Sequence, residues 1–130
     1  MPSTLVSIRK PRPLQERRAM VEAVHEVLAR VLKAPDHDRT VRLQTFAAEE
    51  FAVGPQVGEN YTVVEISLYP GRTLAVKREL YQALVQALGA FGVPPQETKF
   101  ILNEVAPDNW GLRGGIPGSE VSAPAKKLEV

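Results

Sequence analysis

At 130 residues and 44% hydrophobic content, the chain is sized for one domain around a single core. Sixteen basic residues against fifteen acidic leave a formal charge of +1, and the absence of cysteine excludes disulfides, thiolate nucleophiles and zinc–thiolate sites. No apolar run reaches the length of a membrane span and no hydrophobic signal core opens the chain, so nucleic acid and membrane are not expected partners and a cytoplasmic location is expected.

Pro2 follows Met1 and leads into Leu5, Val6 and Ile8, a short strand that Pro11 and Pro13 bring to a stop. If Met1 is removed, Pro2 offers a secondary amine, a titratable group that carries protons near neutral pH when its surroundings tune it. Pro13 opens a helix. From Leu14, the residues Val21, Val24, Leu28, Val31 and Leu32 recur at helical spacing and predict about five turns, closed by Pro35. Val41, Leu43 and Thr45 alternate with Arg42 and Gln44 as a second strand. Residues 47–60, with Gly54, Pro55 and Gly58, read as a long connection with one helical turn around Ala48 to Phe51. Residues 61–69 form a third strand, Pro70-Gly71-Arg72 a turn, and Thr73 a helix cap. Leu74, Leu80, Tyr81, Leu84, Leu88 and Phe91 mark the buried face of a second helix that Gly92, Pro94 and Pro95 end. Residues 99–105 are the fourth strand, and the tail around Ala123 to Lys127 reads as mobile or packed on a partner.

An offset of sixty residues superposes the second half on the first: Ser7 on Ser67, Arg12 on Arg72, Leu14 on Leu74, Leu28 on Leu88 and Pro35 on Pro95. The chain therefore reads as one α+β domain, 1–130, made of a tandem β-α-β repeat over about 2–46 and 62–105, with a hairpin and tail over 106–130. The right-handed crossover rule makes the two strands of each unit parallel, giving a four-stranded sheet with both helices on one face. The strands leave an apolar share on the other face. Its burial, worth roughly 25 cal/mol per Å², predicts self-association of two or three copies.

Five features in register, namely Pro2 on the first strand, the two repeats, Gly71-Arg72 before the second helix, Pro35-Asp36-His37-Asp38-Arg39 after the first, and Asn109-Trp110-Gly111-Leu112-Arg113-Gly114-Gly115, resemble the tautomerase superfamily. The similarity covers residues 2–121. It is nearest to fused two-repeat members such as malonate semialdehyde decarboxylase and 4-oxalocrotonate tautomerase-like proteins. The resemblance implies a homotrimer, a terminal-proline enzyme, a small carboxylate substrate and no cofactor. It further implies Pro2 as the catalytic proline, Arg72 as the carboxylate binder, Asp38 as the water-activating residue of the decarboxylase members, and Trp110 as an aromatic wall. Those decarboxylases carry an Arg-x-Arg pair where this chain has Pro70 and Arg72, so one guanidinium is missing.

The residue chemistry bears on the same choice. A guanidinium at Arg72 holds a carboxylate in bidentate fashion, and together with apolar walls at Trp110 and Leu112 it lowers the amine's pKa and leaves Pro2 a base. A carboxylate at Asp38 pulls the other way, toward a charged Pro2 and an activated water. The expected activity is that of a cofactor-free tautomerase on small 2-oxo or enol acids. The alternatives are a hydratase or decarboxylase using Asp38, and an inactive trimeric binding protein. His25 and His37 lie too far apart for a helical metal pair, so no metal site is expected, and His25 reads as structural. Thr62 stands at the repeat position of Pro2, so the second half has no proline of its own and Arg12 is expected to have lost the role kept by Arg72.

Overall fold

The computed structural model describes residues 2–35 and 38–121. Met1, the Asp36-His37 part of the sequence motif and the tail, expected to be mobile or packed on a partner, lie outside the described residues. The elements follow the order β1 (Ser3–Ile8), α1 (Leu14–Leu32), β2 (Thr40–Thr45), β3 (Thr62–Leu68), α2 (Leu74–Gly89), β4 (Thr98–Glu104) and a hairpin of β5 (Gly111–Leu112) and β6 (Ile116–Pro117). A single turn of 3-10 helix at Ala48–Glu50 sits in the long connection, where one helical turn was expected.

The helices form for different local reasons. α1 begins after Pro13, whose φ of −59° is set by its ring and which offers no side-chain cap. α2 is capped by Thr73, whose hydroxyl accepts the Val76 N–H at 3.2 Å. The α1 stripe is Met20, Val24, Val27, Leu28, Val31 and Leu32. Val21 is only half-buried, because a step of ~100° per residue turns it off the line through Met20 and Val24. In α2 the stripe is Leu80, Leu84 and Leu88, with Tyr81 stacked on Phe100 at 6.1 Å. Leu74 does not join it: it is 66% exposed, and its repeat counterpart Leu14 is 58% exposed. Helical side chains lean toward the N-terminus, so a residue in the first position overhangs the helix end instead of reaching the sheet.

The sheet order is β2-β1-β3-β4, with β1 parallel to β2, β3 parallel to β4, and β1 antiparallel to β3. Leu5 faces Glu65, sixty residues later, so the approximate two-fold axis relating the repeats passes through this central pair. One sheet face, with Val6, Ile8, Val64, Ile66 and Leu68 fully buried and Val41, Leu43, Phe100 and Leu102 at its margins, packs on both helices. Each such large side chain stabilises by about 1.5–3 kcal/mol.

The opposite face corrects the expected apolar share. The register lays it out in three rows, Thr40-Ser3-Ser67-Asn103, Arg42-Leu5-Glu65-Ile101 and Gln44-Ser7-Val63-Lys99. Only Leu5, Val63 and Ile101 are apolar there, because most of the large aliphatic residues of the strands, Val6, Ile8, Val41, Leu43, Val64, Ile66, Leu68 and Leu102, face the helices. No helix among the described residues is long and apolar enough to cross a membrane.

Candidate active site

Because β1 and β2 start where β3 and β4 finish, one end of the sheet gathers the beginnings of two strands and the ends of two others. Pro2 is buried there, its carbonyl accepting the Thr40 N–H at 3.2 Å, and the β1–β3 register sets it opposite Leu68. Asp38 precedes β2 by two residues and donates its N–H to the Pro35 carbonyl at 3.0 Å. The adjoining Arg39 donates to Nε2 of His25 at 2.8 Å and to the Ala34 carbonyl at 3.0 Å, which braces the approach to β2 against α1. His25 is thus the α1 acceptor of this brace.

Tyr69, directly after β3, links the remaining groups. Its carbonyl accepts from Nη1 of Arg72 at a long 3.4 Å, and its ring meets Trp110 edge-on at 5.7 Å. The enclosed hydroxyl has no hydrogen-bond partner among the described residues. Burial raises the Tyr69 pKa, and the negative charge of Asp38 raises it further. Gly71, at φ 123°, makes the turn that a side chain would resist, and so brings Arg72 back over the sheet end. Burial lowers the Arg72 pKa, an effect partly offset by Glu104 at the end of β4. The Arg72 Nε is buried and has no partner among the described residues, which leaves a donor for an anion. Trp110 is fixed by its indole N–H, which donates to the Val105 carbonyl at 2.9 Å, while the Val105 N–H donates to Leu68 at 2.8 Å.

Of the residues singled out from sequence, Pro2, Asp38, Arg72 and Trp110 therefore share this end. Leu112 lies in β5, half-buried and paired with Ile116, in the hairpin that turns through Arg113, Gly114 and Gly115 at positive φ. Tyr69, Lys77 and Glu104 were not singled out. Lys77 and Glu104 form an ion pair at 2.8 Å across α2 and β4, which no sequence spacing reveals. Tyr69 carried one signal, its place between the strand and the Pro70-Gly71-Arg72 turn.

The other end, related by the two-fold, is closed. Thr62 replaces the proline and donates its hydroxyl proton to the Asn60 carbonyl at 2.8 Å. Arg12 is held through Nη1 by the Phe91 carbonyl at 2.9 Å and the carboxylate of Glu16, and through Nη2 by Oδ1 of Asn60 at 3.1 Å. Arg9, at the repeat position of Tyr69, ties down the connection after β2 through the carbonyls of Phe51 at 2.9 Å and Gly58 at 3.3 Å.

Residues 38–113 match one family model described as tautomerase enzyme, and residues 4–60 match a second of the same description. A probable tautomerase of Ralstonia nicotianae is 31% identical over 65 residues, covering 49% of this chain and 91% of that protein. A fused 4-OT solved as a symmetric trimer superposes with a TM-score of 0.82 at 24% identity, over 90% of this chain and 96% of its own. An FG41 malonate semialdehyde decarboxylase inhibited by 3-bromopropiolate superposes with a TM-score of 0.78 at 24% identity, over 87% and 90%. A family match running from Asp38 past Trp110, over more than half of the chain and on a fold that duplicates one β-α-β unit, means that the chain belongs to the tautomerase enzyme family.

Proposed function

We propose that this protein is a cofactor-free tautomerase of small 2-oxo or enol carboxylic acids, with the amine of Pro2 as general base and Arg72 as the carboxylate clamp. The observation that carries the reading is the contrast between the two sheet ends. One has a buried proline and, at the same end, an arginine with a single long hydrogen bond and a buried Nε without a partner among the described residues, and the other has a threonine and an arginine held through both terminal nitrogens. In this mechanism the enol's carboxylate docks on Arg72, with Trp110 as an apolar wall. The neutral nitrogen of Pro2 takes the hydroxyl proton, the O–H electron pair becomes the carbonyl π bond, and the displaced π electrons form a C–H bond with the proton that Pro2 returns. Leu112 extends the apolar wall that favours the uncharged amine. Assembly as a homotrimer belongs to the same reading and is supported by the trimeric fused 4-OT.

A second reading is favoured by the charge of Asp38, which acts on Tyr69 at this same end. Here Pro2 stays charged and Asp38 activates water, as a hydratase or decarboxylase would require. The missing guanidinium at Pro70 weighs against it.

The test compares enol-to-keto conversion of an arylpyruvate by the native protein, by Pro2→Ala and by a form that retains Met1. The reading expects loss of activity with Met1 retained, since the nitrogen is then an amide, and residual activity in Pro2→Ala, where a primary amine replaces the ring nitrogen. Full activity with Met1 retained refutes it.

A further inference from the structure

Glu104 pairs with Leu68 in the β3–β4 register, next to Tyr69, whose carbonyl accepts from Arg72, yet Arg72 makes no ion pair among the described residues. The carboxylate of Glu104 is held instead by Lys77 at 2.8 Å, with the lysine side chain 24% and the glutamate side chain 35% exposed. A half-buried guanidinium with an unpartnered Nε beside a carboxylate would ordinarily take that carboxylate as its own partner. The first repeat shows that outcome. There Glu16, one helical turn after Arg12, pairs with Arg12 directly. Sixty residues on, Val76 takes the place of Glu16 and removes that acid. The counterparts of Lys77 and Glu104 in the first repeat are Arg17 and Gln44, which cannot form the same pair, and Arg17 donates to the Arg12 carbonyl instead. The half that keeps a proline thus differs from the half that lost it in two coordinated ways. The near acid is deleted, and the remaining acid is tethered.

We propose that Lys77 is a positioning residue for carboxylate recognition: by holding Glu104 it keeps an internal carboxylate off Arg72 and leaves the guanidinium to the substrate. The inference rests on the reading of Arg72 as the clamp. Glu104, Lys77 and Arg72 are the charged groups concerned, contributed by β4, α2 and the turn before α2. Substrate competes with Glu104 for one site in this arrangement. If release of the tether lets Glu104 occupy Arg72 for about nine-tenths of the time, the apparent affinity for substrate falls roughly tenfold, in inverse proportion to the free fraction.

The test is steady-state kinetics on an arylpyruvate enol with Lys77→Met, Lys77→Arg and the double variant Lys77→Met with Glu104→Gln, alongside Arg72→Ala. Circular dichroism establishes that each variant is folded. Lys77→Met should raise KM roughly tenfold with kcat within about twofold of native, since chemistry at Pro2 is untouched. Lys77→Arg, which keeps the tether, should retain the native KM. Glu104→Gln added to Lys77→Met should bring KM back toward native, a rescue that a merely structural lysine would not produce. If Lys77→Met does not fold, Lys77→Gln is read in its place. A native KM in Lys77→Met overturns the proposal, and so does a raised KM that Glu104→Gln fails to restore. If Arg72→Ala itself leaves KM unchanged, the clamp reading falls and this inference with it. If Arg72→Ala raises KM while Lys77→Met does not, the inference alone falls.

Discussion

Two arginines at matching repeat positions should fail in opposite ways when removed. Arg12→Ala strips the hydrogen bonds to the Phe91 carbonyl at 2.9 Å and Oδ1 of Asn60 at 3.1 Å, together with the ion pair to Glu16. Hydrogen bonds to a charged group contribute about 1.5–3 kcal/mol each. The glutamate side chain is 36% exposed and rehydrates, so its share is discounted. A net loss of about 2–4 kcal/mol of stability follows, because Arg12 joins the first turn of α1 to the start of β3 and the end of α2. Among the described residues Arg72 makes one 3.4 Å bond, to Tyr69, so Arg72→Ala should cost under about 1 kcal/mol of stability. Its cost should appear instead as a higher KM and about 2–5 kcal/mol in kcat/KM, the range for removing one partner of a desolvated charge pair. Urea unfolding followed by circular dichroism measures the first quantity, and enol-to-keto kinetics on an arylpyruvate measures the second. The reasoning is refuted if Arg72→Ala is catalytically silent while a folded Arg12→Ala loses substrate binding, since the open end of the sheet would then have been misassigned.

Gly118→Ala should destabilise by about 1–3 kcal/mol, the usual cost of overpacking, because a Cβ there would lie 2.6 Å from the Pro107 carbonyl oxygen and 2.7 Å from the Tyr69 hydroxyl. Adding Tyr69→Phe should recover part of that loss, and thermal melts of the single and double variants check both. Tyr69 also predicts a pH effect. Its pKa in the fold is raised above the ordinary 10.0, so the stability linked to the neutral phenol is complete below pH 10 and is lost as pH rises through the folded value. Urea midpoints measured across alkaline pH should show this decline in the native protein and its reduction in Tyr69→Phe. For the chemistry, kcat/KM should rise as Pro2 loses its proton, and Asp38→Asn should cost little for tautomerisation. A rate that falls through the same titration, with Asp38→Asn inactive, selects the hydratase or decarboxylase reading instead.

Much of the fold is local in origin and legible in the residues. Helix and strand periods, the prolines at 11, 13, 35 and 94, the Thr73 cap and the offset of sixty residues dictate element order, and the handedness of β-α-β crossovers then dictates the sheet. The gathering of Pro2, Asp38 and Arg72 follows from the same rules, since each stands at a strand end or in a turn after one. Sequence reading does not extend to what competes for each surface and each donor. Alternation reveals that a strand has two faces, but only packing decided that Val64, Ile66 and Leu68 go to the helices and leave a mostly polar outer face. Leu74 fits the helical period and is exposed because the helix starts beyond the sheet. Arg12 and Arg72 occupy matching positions in the repeat, yet among the described residues one is held by three bonds through its terminal nitrogens and the other makes a single long one and keeps a buried, unpartnered Nε. The partners that spend Arg12 include Asn60 and Phe91, 48 and 79 residues away, and the tether on Glu104 comes from a lysine on another element. The strength of a charged group depends on its neighbours within a few ångströms, and for these groups the decisive neighbours are brought close only by the tertiary fold.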